Sequence, residues 1–446
     1  MKKRIISKYL TSKFETCGHD AEWYGYYNYD TLNHDKTLML CNQSPSESHV
    51  INAKDKIGLG YYNLTSGEWH LIDTTDSWNW QQGAMMQWLP GKCNENKVIY
   101  NCSRNGHLVA KIKDIKTNET KDIDWAIYGL TPDGKKSISL DFERSYWCRA
   151  YHYQSVTNIQ KEGRIIEGDG IYEIDLQNNT RKLLIDIHDI VKNSPDSNFD
   201  SMKHWVEHIM INPSGTKFCF LHRFSPQGEI KYYKTRICIA NIDGSGLQVI
   251  PGWNKYMWSH FGWKNDSDFV IYTYKRLVPF NSAKENDSTI KKEKNFSTIR
   301  TLIKIAVGIK DILPKRILNI FKSENFYYQY YECKNGKYEL ADSWKNSFFN
   351  IDGHPSFTSD GRYMLTDSYP DDNGYRRYII FDTMTHKGMI IAKMPENKQE
   401  GNVACDLHPK LSKDNLNVVF DTTSSGKHSM ILFDINWDII KKKISK

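Results

Sequence analysis

Two short corners near the C-terminal end of the chain carry its most concentrated chemistry. Ile351-Asp352-Gly353-His354-Pro355-Ser356 comes first, and Cys405-Asp406-Leu407-His408-Pro409 follows about fifty residues later. A third segment, Trp258-Ser259-His260-Phe261-Gly262-Trp263, again places a histidine ahead of a strand-like run. Together they offer His260, His354, Cys405 and His408, three imidazoles and one thiol. These are ligands that zinc takes, about four to a structural site. The four are scattered and lack the CxxC spacing of a local zinc finger. Any site they make must therefore be assembled by the fold, at one rim of a repeated β architecture.

The elements that would do this repeat along the chain. A turn opens a strand at Pro132-Asp133-Gly134-Lys135, Pro213-Ser214-Gly215-Thr216, Asn265-Asp266-Ser267, Ser359-Asp360-Gly361-Arg362 and Ser412-Lys413-Asp414-Asn415. A strand closing on Asp or an Asp turn recurs at 171–175, 237–243, 378–382 and 430–434. Gly, Asn and Asp supply the turn conformations that antiparallel strands need. Further strands are expected at 36–41, 57–63 and 98–100. Aromatic residues make up 13% of the chain, with 27 Tyr and 13 Trp, which favours strands packed face to face. Units of about 50–80 residues with several strands each are the pattern of propeller blades. Five opening turns and two N-terminal units predict an all-β, seven-bladed propeller spanning 1–446.

One segment, 277–322, breaks the pattern. Its apolar residues Leu302, Ile305, Ala306, Ile309, Ile312 and Leu313 fall at helical spacing among Arg300, Lys304, Lys310, Lys315 and Arg316. A basic amphipathic helix of this kind, broken at Pro314, packs on a blade or lies on an anionic membrane surface through 298–322. The formal charge of +7 is concentrated here, since Lys275 to Lys322 holds twelve basic and four acidic residues. The remainder is close to neutral, which argues against a nucleic-acid partner. The basic N-terminus lacks an apolar core of signal-peptide length, and no stretch approaches the ~18–20 apolar residues of a membrane span. Nine widely spaced cysteines fit reduced thiols. A cytoplasmic protein, peripheral to the membrane if the helix binds it, is the expectation.

Taken in order, WNWQQGAMMQW, TPDGKKSISLDFER, HWVEHIMINPSGTKFCFLHRF, WSHFGW, DGHPSFTSDGRYMLTDSYPD and CDLHPKLSKDNLNVVFDTT give the chain a resemblance to a known family. It resembles seven-bladed propeller polysaccharide lyases of the ulvan lyase-like kind and, more distantly, oligogalacturonate lyases. The resemblance covers nearly everything outside 277–322. It implies a divalent metal at one rim held by His260, His354, Cys405 and His408, the set already reached from residue chemistry. Zinc is the first expectation and manganese the second, with a structural role ahead of a catalytic one. It also implies an acidic oligo- or polysaccharide as partner.

Elimination across a uronate needs a cation to neutralise the carboxylate, a base for the adjacent proton and an acid for the leaving oxygen. His208 and the pair His222-Arg223 lie on either side of the Pro213-Ser214-Gly215 turn, so a hairpin brings them together. Arg223 suits the carboxylate because its planar fork engages both oxygens. His208 is the candidate base, His222 its neighbour, and Tyr128 a candidate acid. Gln81, Gln82 and Asn101 are candidates for sugar hydroxyls, although buried amides also tie adjacent blades together. Two functions follow: a lyase-like enzyme cleaving a uronate-containing acidic glycan by β-elimination, or a non-catalytic propeller of cell-surface polysaccharide biosynthesis at the cytoplasmic membrane.

Overall fold

The computed structural model describes residues 2–16, 18, 21–46, 50–149, 153–156, 161, 163–194, 199–226, 233–275, 325–396 and 405–444. The basic helical segment expected at 277–322 lies outside them. Seven antiparallel sheets follow one another as the blades of a propeller, at 21–75, 87–123, 129–186, 202–249, 256–344, 356–395 and 410–435. The ring closes with a strand from the other end of the chain, because Leu10–Glu15 pairs with Ser429–Ile435 as the outer strand of the seventh blade. Ile5–Ile6 adds a fifth strand to the sixth sheet. Closure leaves the seventh blade a full sheet and joins the two termini by ladder hydrogen bonds.

The five turns read from sequence are the first hairpins of blades three to seven. Their glycines answer two demands at once. Gly134 sits at φ +68°, and a Cβ there would lie 2.1 Å from the carbonyl oxygen of Pro90 in the preceding blade. The same left-handed position in the seventh blade is Asn415, φ +63°, whose amide donates to Ser359 Oγ of the sixth blade at 2.8 Å. The turns are thus also contacts between blades.

Within the blades, alternation sends one set of side chains into each inter-blade core. Trp78 and Trp80 are buried against Trp23, with the Trp23 and Trp80 rings 4.6 Å apart. Trp88 spends its indole N–H on the Thr31 carbonyl at 3.0 Å. These tryptophans fill the first blades. The eight described cysteines form no disulfide. Among the described residues no helix is long and apolar enough to cross a membrane.

Candidate active site and metal centre

The inner strand of the fifth blade and the corners that lead into the inner strands of the sixth and seventh bring His260, His354 and His408 together. The organising group is Asp367, a fully buried carboxylate at the end of the second strand of the sixth blade. It accepts the backbone N–H of His354 at 2.7 Å, the His354 Nδ1 at 2.9 Å and the backbone N–H of His408 at 3.2 Å. One carboxylate therefore fixes both corners. Gly353 is required beside it, because a Cβ there would stand 1.9 Å from the Asp367 carbonyl oxygen.

With Nδ1 bound to Asp367, His354 turns Nε2 inward. His408 donates from Nδ1 to the Gly25 carbonyl at 2.8 Å and also presents Nε2. Both Nε2 atoms are buried and without a hydrogen-bond partner among the described residues. Asp406 supplies the third donor. Its Oδ1 is held by Arg376 at 2.8 Å, while Oδ2 lies 3.9 Å from His354 Nε2 and 3.7 Å from His408 Nε2. The donor atoms of His354, Asp406 and His408 all lie within 4.8 Å of one another. Orphaned imidazole nitrogens backed by a carboxylate or carbonyl on Nδ1 are the outer-shell arrangement of a metal site, so these residues fit a divalent ion.

The two rings differ in their electrostatics. Burial opposes a charge on His354, but Asp367 and then Asp406 and Asp352 outweigh it and raise its pKa. Burial, then the charges of His354, Lys410 and His260, hold His408 neutral far below the usual range. His260 stands alongside, its ring centroid 4.0 Å from that of His354 and its Nδ1 3.1 Å from Asp352. Cys405 is outside the three-donor group. Its thiol donates to the Asp406 carbonyl at 3.8 Å, and burial, with Asp421 next, pushes its pKa up. The neighbour Asp406 takes the place assigned to it, so the donor set is harder than the sequence suggested.

A second group meets the first through a loop of the first blade. Asp421 accepts the backbone N–H groups of Tyr24 and Gly25 at 3.2 and 2.9 Å and is itself paired with buried Lys410 at 2.7 Å. This pins Gly25-Tyr26-Tyr27 at the axis. Tyr27 packs against His354 with ring centroids 5.0 Å apart and against His408 at 5.9 Å. Tyr26 lies between the two groups, stacked on His208 at 5.3 Å and edge-on to His408 at 5.7 Å. Its hydroxyl bonds His208 Nδ1. On the other side of the ring, His208 Nε2 lies 3.3 Å from Glu207 Oε2, the oxygen that also takes Arg223. Carboxylate, imidazole and phenol thus form one relay. Burial first, then Tyr27 and Tyr29, keep the Tyr26 phenol protonated well above its ordinary range.

Backbone irregularity makes this possible. Consecutive residues of a strand point to opposite faces, yet Glu207 and His208 converge. The ladder slips between Glu207 and Met210, and His208 adopts φ +54°, a left-handed conformation that non-glycine residues seldom take. A matching slip between Trp258 and Phe261 brackets His260. His408, at φ +42°, completes the set. Bulges on inner strands aim His208 and His260 inward, and a period-two reading of the sequence cannot show them.

The remaining sequence candidates fall elsewhere. His222 follows ordinary alternation and so faces away from Arg223. It is fully buried, accepts from Arg236 Nε at 3.0 Å, donates from Nε2 to His204 Nδ1 at 3.0 Å, and His204 donates onward to the Phe199 carbonyl at 2.9 Å. Both ring nitrogens are spent, which corrects its placement beside the base. Asn101 bonds the backbone N–H and carbonyl of Ile127 at 2.9 and 3.0 Å, clamping the second blade to the third. Gln82 donates to the Tyr128 hydroxyl and accepts from that of Tyr153, both at 3.1 Å. Gln81 is half-buried with its backbone N–H on Asn79 Oδ1 at 3.0 Å. Tyr128 is buried edge-on to Tyr26 at 6.5 Å, within the wall around the relay.

The His204–His222 pair gives an expected pH dependence of stability. Burial, with the Arg236 charge adding to it, depresses His204 to about 4 and His222 well below its ordinary value. Above about pH 6.5 both rings are neutral in the folded and the unfolded chain. As pH falls from there, the unfolded chain takes up protons that the folded chain refuses, so stability drops. His204 alone accounts for roughly 3 kcal/mol between about pH 6.5 and 4. Urea unfolding across that range should show the loss, and His204→Gln should flatten it. An unchanged slope in the variant would reject the assignment.

No family model matches the sequence, and no curated protein sequence matches it. Solved structures do. An oligogalacturonate lyase in complex with manganese aligns with a TM-score of 0.56 at 12% identity, covering 97% of both chains. A second oligogalacturonate lyase, from Vibrio parahaemolyticus, aligns with a TM-score of 0.57 at 12% identity, covering 97% of this chain and 96% of its own. The likeness is one of fold. It establishes the seven-bladed propeller and brings in the more distant of the two kinds of relative that the motifs suggested.

Proposed function

We propose that the chain is a lyase acting on a uronate-containing oligosaccharide by β-elimination, with its active centre at the axis of the propeller. The observation that carries this reading is the meeting of two groups in one buried cluster: the Arg223–Glu207–His208–Tyr26 relay and the His354–Asp406–His408 ligand group. Arg223 keeps a buried Nε without a partner among the described residues, so part of its fork remains to take a substrate carboxylate. His208 Nδ1 accepts the Tyr26 hydroxyl proton, and the Tyr26 oxygen takes the proton beside the carboxylate. The carbon–carbon double bond forms as the glycosidic carbon–oxygen bond breaks; Tyr26 passes the proton it took to the leaving oxygen, and His208 hands back the phenol proton, which restores the resting state. Glu207 orients His208 and stabilises the transient imidazolium, as a carboxylate does behind any imidazole base.

His354, Asp406 and His408 would hold a divalent ion, which would supply positive charge beside the substrate carboxylate. Two imidazoles and a carboxylate suit manganese as well as zinc, and the loss of the thiolate from the set removes the feature that favoured zinc. The manganese in the similar oligogalacturonate lyase supports the same choice. The test is incubation of the metal-loaded protein with oligogalacturonate and other uronate oligosaccharides, following ultraviolet absorbance of the unsaturated product. Absorbance that grows with enzyme concentration supports the reading. No product from any uronate would overturn it and leave the non-catalytic propeller.

A further inference from the structure

A cavity of about 510 Å³ lies between the second and third blades, within the size range of small-molecule sites and away from the axial cluster. Each of its carboxylates is ion-paired, with Lys161 serving two of them. Asp124 is taken by Arg104 and by Asn179 Nδ2 at 2.8 Å. Asp141 and Glu143 share Lys161 at 2.5 and 3.0 Å. Arg181 is different. Its guanidinium carbon lies 3.9 Å from the Trp125 ring centre and 4.4 Å from that of Tyr172, and it has no hydrogen bond or ion pair among the described residues. Aromatic contact steadies the plane of an exposed guanidinium without consuming its N–H donors.

We infer that this groove is a second ligand site, in which Arg181 binds the carboxylate of an acidic sugar. A guanidinium in contact with two rings keeps its edges free, and an edge presents the parallel N–H pair that a carboxylate accepts. The surrounding polar groups serve a hydroxylated ring rather than an apolar acid. Asn105 and His107 line the same cavity, and His107 is exposed with its Nδ1 3.0 Å from Glu143. The Trp125 indole N–H is buried with no partner among the described residues, so an acceptor entering beside it would find an unspent donor. The site does not depend on the axial reaction.

Galacturonate binding, followed by saturation-transfer NMR and calorimetry, tests this. The axial site is first silenced with Arg223→Ala, and unchanged near-ultraviolet circular dichroism confirms the fold. Galacturonate is expected to bind this protein, and Arg181→Gln in the same background should weaken binding at least tenfold. Galactose should bind no better than the double variant binds galacturonate. Inorganic phosphate should compete poorly. Retained affinity in the double variant would overturn the proposal, as would equal binding of galactose, absence of binding, or phosphate binding as tightly as the uronate. Loss of elimination activity in Arg223→Ala reports on the axial site alone, so the two readings fail separately.

Discussion

Asp406→Asn is expected to lower divalent-metal affinity by on the order of 100-fold or more, whereas Cys405→Ser leaves it unchanged. Removing an outer-shell partner of a metal ligand typically costs about 10–100-fold, and a direct donor costs at least that. Asp406 has one oxygen 3.7–3.9 Å from two imidazole nitrogens that have no hydrogen-bond partner among the described residues, and the other on Arg376, so the amide keeps the shape and loses the charge. Cys405 lies next in sequence but outside the donor group. Asp367→Asn should fall between, at about 10–100-fold, because it holds both corners without being a donor. Competition with a chromophoric chelator, using manganese and zinc in turn, measures all three. Loss of metal on Cys405→Ser with retention in Asp406→Asn would reverse the ligand set.

The second large effect is expected at Arg223. Removing one preorganised donor to a developing charge costs about 10²–10³ in kcat, so Arg223→Ala should reduce elimination by that order or more. The alanine variant also takes the guanidinium from Glu207, a buried carboxylate left with Trp205 and His208, at up to about 3–5 kcal/mol. Arg223→Lys separates the two effects. It keeps a cation for Glu207 and loses the planar fork, so thermal stability should largely return while activity stays low. Tyr26→Phe is the companion variant, expected to lower kcat by roughly 10²–10⁴ with metal affinity intact. Normal kcat in both Arg223→Lys and Tyr26→Phe would remove the relay from the mechanism.

The same residues show what a linear reading misses. Arg223 and His208 were legible because a tight turn must bring two strand ends together, and they do share Glu207. Glu207 itself carried no signal, since alternation places it on the face opposite His208 until the bulge rotates the backbone. His222 failed for the complementary reason, because ordinary alternation holds it against Arg236. Tyr26 and Tyr27, about 180 residues from His208, sit in a run of tyrosines that reads as core, and nothing local says that two of them cross the axis.

What the sequence determined by itself is the architecture. Turn chemistry at five strand openings, strands closing on aspartate and a surplus of aromatic residues are local demands of short antiparallel strands, and they specify blades wherever they occur. The proline-closed corners likewise announced His354 and His408, because their polar, sharply turned backbone is written in the residues themselves. Tertiary structure decided the rest. Whether Cys405 or Asp406 turns toward the histidines depends on Arg376, and whether the corners meet at all depends on Asp367 bonding both. The N-terminal strand that closes the ring pairs with one more than 400 residues away. Donor sets and ring closure are relations between distant segments, fixed by packing, and no spacing along the chain encodes them.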